Sequence, residues 1–127
     1  MTFIKRFKQI SLWALIILYL GAGINHFIHP LGYYSIIPPY LPNHYLINIL
    51  AGLAEIICAV LLAIPATRKL GAYLVIAMLV AFIPAHVYMI QKGGCMGKEI
   101  CISLWGAWLR LFPLQFILIL WAYWHRK

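Results

Sequence analysis

Four apolar runs, at about residues 10–28, 45–64, 70–90 and 102–124, dominate this chain of 127 residues. Each is close to the roughly 20 residues an α-helix needs to cross the hydrocarbon core of a bilayer. A membrane-spanning β-strand would need only about 10 alternating residues, so the length selects helix. Breakers mark the joints: Pro30 with Pro38, Pro39 and Pro42, then Pro65, then Gly93, Gly94 and Gly97. Charged residues are 9% of the chain and mean hydropathy is +0.94. That is too little charge to cover a soluble domain of this size, whereas lipid can solvate apolar outer faces. The expected fold is all-α: an integral membrane bundle of four transmembrane helices, one domain over residues 1–127.

The formal charge of +8 is distributed like a membrane protein's. Lys5, Arg6 and Lys8 precede the first run, Arg68 and Lys69 separate the second and third, and Arg126 and Lys127 end the chain. On four spans all seven fall on one side, leaving Lys92 and Lys98 on the other. The positive-inside rule then puts both termini in the cytoplasm. Trp105 and Trp108, with Trp121 and Trp124, resemble interfacial belts at the two ends of the last run. No basic stripe interleaved with aromatics exists to follow a phosphate backbone, so nucleic acid is not an expected partner. Gly21-Ala22-Gly23 after a basic start resembles a signal-peptide cleavage site, but the apolar pattern continues to Ile28, so a retained span is expected.

Ionisable and amide side chains inside the runs are few, and in a membrane such residues are informative. They are Asn25 and His26 in the first run, Asn48 and Glu55 in the second, His86 in the third, and Arg110 and Gln115 in the fourth. At ~1.5 Å rise per residue, antiparallel alternation brings all four groups into the same half of the bilayer. Around Glu55 the helical stripe reads Asn48, Ala51, Gly52, Glu55, Ala59; around His26 it reads Tyr19, Ala22, Gly23, His26. Such small, polar stripes face neighbouring helices, whereas bulky positions such as Ile16, Ile17, Leu61 and Ile119 are expected to face lipid. The candidate ligand-binding residues are therefore Asn25, His26, Asn48, Glu55, His86, Arg110 and Gln115, around one outward-opening cavity. Glu55 and Arg110, the lone intramembrane acid and base, are expected to pair directly or through a histidine. His26, His29, His86 and Glu55 are types that ligate zinc or iron, but the spacing is common by chance and no metal is assigned.

The first loop, 29–44, is rich in Tyr, Ile and Pro and is expected to lie in the interface over the cavity mouth. Cys95 and Cys101, six positions apart beside the outer loop, are expected to form a structural disulfide, and Cys58 to be a packing residue. No P-loop, dinucleotide fingerprint, nucleophile elbow or Cys-x-x-Cys occurs. There is no Asp, and Glu55 and Glu99 are the only glutamates, which disfavours paired-carboxylate chemistry.

Several phrases resemble the DoxX-like membrane proteins: Gly23-Ile24-Asn25-His26-Phe27, Ile37-Pro38-Pro39-Tyr40-Leu41-Pro42, and Gly52-Leu53-Ala54-Glu55. Phe82-Ile83-Pro84-Ala85-His86-Val87-Tyr88-Met89, Arg110-Leu111-Phe112-Pro113-Leu114-Gln115 and Trp121-Ala122-Tyr123-Trp124 continue the likeness in order along the chain. His86 departs from the Asn usual at that place. The resemblance implies a four-helix bundle in the bacterial inner membrane, associated with redox systems such as a thiosulfate:quinone oxidoreductase subunit, or with maturation of other proteins.

Residues and resemblance together lead to a redox-associated membrane protein, not catalytic alone, whose cavity takes a quinone or another small amphipathic molecule. A quinone needs an apolar slot with one or two hydrogen-bond donors, which His26, His86 and Arg110 supply. An assembly factor bound to a membrane partner or to itself, with a purely structural polar network, is the alternative. A small enzyme using His26 or His86 with Glu55 on a lipid-like substrate is another.

Overall fold

The computed structural model describes residues 2–96, 100–101 and 103–126, without the side chains at 95, 96, 100, 101 and 112. In chain order the helices are α1 (Phe3–Ile28), α2 (Pro30–Ile36), α3 (His44–Ala63), α4 (Arg68–Ala81), α5 (Ile83–Gln91), α6 (Leu104–Leu109) and α7 (Gln115–Trp124). A short 3-10 turn, Pro65–Thr67, leads into α4, and a π-helical segment, Arg110–Leu114, joins α6 to α7. Between α5 and α6, β1 (Cys95–Met96) and β2 (Ile100–Cys101) form a minimal antiparallel ladder.

Among the described residues, three helical stretches are long and apolar enough to cross a membrane: α1, α3 and Pro65–Gln91, which contains α4 and α5. The apolar α7 is shorter. Bulky side chains such as Ile17, Ile57, Leu120 and Trp105 stand exposed around the bundle, as contact with a bilayer requires. The core is a column of Leu12, Leu15, Ile16, Tyr19, Leu62, Val75, Leu79 and Leu118, joined by the small residues Ala59, Ala72 and Ala122. Ile16 thus corrects its expected lipid-facing position: it is 5% exposed, on the face of α1 shared with Leu12 and Tyr19. Its neighbour Ile17 does face outward.

Local chemistry sets the helix ends. The Asn43 side chain, on a residue at φ +46°, accepts from the Leu46 amide and starts α3. Ser103 does the same for α6 through the Gly106 amide. Arg68 donates through Nε to the Leu62 carbonyl and through Nη2 to that of Ala63, satisfying the exposed carbonyls that end α3. Pro84 lies in the first turn of α5, and the third stretch breaks at Phe82. Pro113 lies inside the π segment, where a proline without an N–H is accommodated by a widened turn.

At the end of the bundle that holds both chain termini, α1 and α7 are tied by side chains. Trp121 Nε1 donates to Ser11 Oγ at 2.7 Å, and Ser11 Oγ lies 3.1 Å from His125 Nε2. The tryptophan can only donate, which leaves the serine hydroxyl proton free to point at the imidazole. Burial, with Lys8 and Arg68 nearby, holds the His125 pKa down at about 4.

Candidate functional site

The site begins with two glycines. A Cβ on Gly23 of α1 would lie 2.8 Å from the Gly52 carbonyl oxygen, and one on Gly52 of α3 would lie 2.9 Å from His26 Cβ. Only residues without a side chain let the two helices approach this closely. His26, Asn48 and Glu55 all lie within about one turn of this contact.

His26 is held on three sides. Its Nδ1 lies 2.7 Å from Asn48 Oδ1, its Nε2 lies 3.3 Å from Glu55 Oε2, and its ring stacks on Tyr33 of α2 with centroids 3.8 Å apart. Asn48 Nδ2 in turn donates to the His26 main-chain carbonyl at 2.9 Å. A carbonyl only accepts, so the amide orientation is fixed and Oδ1 must accept from His26 Nδ1–H. The contact to Glu55 is at ion-pair distance, and Oε2 has no other polar partner among the described residues.

These groups line a cavity of about 440 Å³. His86 of α5 and Arg110, at the start of the π segment, line its other side. His86 Nδ1 is also buried without a partner among the described residues. Ile36, Ile37 and Pro38, buried in the segment expected to be a loop, form part of the wall, with Ile47, Phe82 and Met89. Part of that segment is helical: α2 starts at Pro30, whose fixed φ suits a first helical turn. It delivers Tyr33 onto His26, a cavity residue that sequence reasoning missed. The signal available was the aromatic pair Tyr33-Tyr34 a few positions beyond the histidine.

Of the seven candidate ligand-binding residues, five line the cavity: His26, Asn48, Glu55, His86 and Arg110. Asn25 does not, since it turns to the side and donates through Nδ2 to the Tyr33 hydroxyl at 2.7 Å. Successive helical residues are about 100° apart, so Asn25 and His26 could not share a face. Gln115 does not line it either. It is buried beside Arg110, accepting from Nη1 at 2.7 Å and donating through Nε2 to the Leu79 carbonyl in the last turns of α4. Gln115 is therefore a positioning residue for the guanidinium.

The expected Glu55–Arg110 ion pair is replaced by two separate arrangements. The carboxylate meets His26 and the guanidinium meets Gln115, because α1 lies directly against α3 while α7 packs against α4. Both still face one cavity. Among the described residues, no group of three or more His, Cys, Asp and Glu side chains is placed to hold a metal ion. Cys58 is buried, its Sγ 4.0 Å from Met78 Sδ. The expected disulfide concerns side chains outside the described ones, although the ladder pairs the Cys95 and Cys101 backbones. Lys98 and Glu99 also lie outside the described residues.

Residues 15–126 match the model of a protein family described as a domain of unknown function. No curated protein and no solved structure matches the chain.

Proposed function

We propose, from the premise that the chain belongs to the DUF8561 family, that it is a DoxX-like bacterial inner-membrane protein that binds a small amphipathic molecule. On this reading it spans the membrane four times, the fourth crossing running through α6, the π segment and α7, with both termini cytoplasmic. The protein serves a redox system without being catalytic alone, and a quinone is a ligand that fits an apolar slot with few donors.

One observation carries the reading. One polar atom at the cavity wall, His86 Nδ1, is buried with no hydrogen-bond partner among the described residues, and Glu55 Oε2 meets the His26 imidazole only at ion-pair distance. A network that only fixed helix register would satisfy its own atoms, since an unpaired buried group costs free energy that pairing avoids. Beside them, mostly apolar walls enclose a volume in the range of small-molecule sites.

Organic extraction of the membrane-purified protein, followed by mass spectrometry, tests the proposal. A quinone or other amphiphile recovered in near-equimolar amount supports it. A second membrane protein co-purifying with no small molecule would favour the assembly-factor alternative. Labelling of single cysteines placed at residues 2 and 126 and in the loop before α3 tests the spans and their direction.

A further inference from the structure

We propose that the cavity selects an anionic head: its ligand is an amphiphile whose carboxylate or phosphate oxygen pairs with Arg110. This rests on the amphiphile-site reading above and adds the sign of the charge.

Proton bookkeeping leads there. Asn48 fixes a proton on His26 Nδ1, because its own Nδ2 is committed to a carbonyl. Nε2 and Glu55 Oε2, 3.3 Å apart, would otherwise present two unshared lone pairs to each other in apolar surroundings. One further proton therefore resides on the pair, on the imidazole or on the carboxyl. Either way, His26 and Glu55 together are neutral.

Among the described residues, Arg110 is then left without a countercharge at the cavity. Its hydrogen bond goes to Gln115, a neutral amide, and the lining residues include no other acid. His86 can add positive charge but cannot remove it. A guanidinium that shares its cavity with Ile36, Phe82 and Met89 is costly to leave uncompensated. Gln115 occupies Nη1, and the remaining donors of the planar fork suit a carboxylate or phosphate. A neutral quinone supplies acceptors without a countercharge; an anionic head supplies both.

Titration calorimetry on the protein in phosphatidylcholine nanodiscs, referenced to empty nanodiscs, tests this with dodecanoate, dodecyl phosphate, dodecanol and a short-chain neutral quinone. The two anions should bind saturably and about tenfold or more tighter than dodecanol, the effect of one charge-assisted hydrogen bond. Arg110→Gln should remove that preference. Adding phosphatidylglycerol separates the sources: loss of dodecanoate binding identifies a bilayer lipid head as the competing anion, and unchanged binding identifies a free amphiphile. If dodecanol or the quinone binds as tightly as dodecanoate, the charge selection is wrong while the amphiphile reading stands. If none of the four binds, both fall. Should Arg110→Gln fail to fold, the acid–alcohol comparison on the unaltered protein decides alone.

Discussion

Asn48 grips His26 twice, accepting from the ring at 2.7 Å and donating to the same residue's main-chain carbonyl at 2.9 Å. The ring of α1 is thereby oriented by a side chain of α3. Replacing Asn48 with Ala strands both His26 groups in a buried place, and loss of about 1–3 kcal/mol is expected from unpaired polar atoms. Thermal melting followed by helical circular dichroism in detergent checks this. A variant melting like the unaltered protein would show that the double contact contributes nothing to stability.

Glu55→Gln keeps the size of the side chain and offers an amide N–H to His26 Nε2. The fold should survive, with a stability change within about 1 kcal/mol, the worth of one hydrogen bond. Ligand affinity should change, because an amide, unlike a carboxyl, cannot pass its proton to the imidazole. Melting and ligand titration of the same preparation separate these effects, and loss of fold would mark the carboxylate as a packing group.

Gly23→Ala and Gly52→Ala each place a methyl against main-chain atoms or His26 Cβ at 3.1 Å or less. Main chain cannot swing aside, so α1 and α3 must separate. Destabilisation of about 1–3 kcal/mol is expected from such overpacking. Gly21→Ala is the control, since nothing lies within 4 Å of its added carbon. Equal melting of Gly23→Ala and Gly21→Ala would contradict the close approach.

His125 gives a pH dependence with a definite sign. Its folded pKa of about 4 lies below the ordinary value of 6.5, so between those values the unfolded chain binds more protons. Its contribution to stability is complete above pH 6.5 and falls as the pH drops toward 4. Melting temperatures from pH 7.5 to 4.5 should therefore decline, and His125→Gln should flatten the decline. A His125→Gln profile parallel to that of the unaltered protein would remove this residue as the cause.

Much of this was legible because membranes make polar residues scarce. Small-residue spacing put Gly23, Gly52, His26 and Glu55 on inward faces, and antiparallel alternation brought His86 and Arg110 to their depth. What stayed hidden depended on which helix touches which. Sequence distinguishes inward from outward, but it does not say whether Glu55 meets α1 or the Arg110 segment. The chain Trp121–Ser11–His125 was hidden for the same reason: three ordinary side chains become a network only once α1 and α7 are adjacent. Asn25 misled because a polar residue beside His26 looks equivalent in sequence, yet one helical step turns it toward Tyr33.

The break at Phe82 and the wide turn containing Pro113 are joined by Gln115, which holds the Leu79 carbonyl on one side and Arg110 on the other. Opening either bend alone costs a hydrogen bond, because straightening either helix pulls the amide from one of its anchors. The guanidinium, held by the same amide, is tied to both bends.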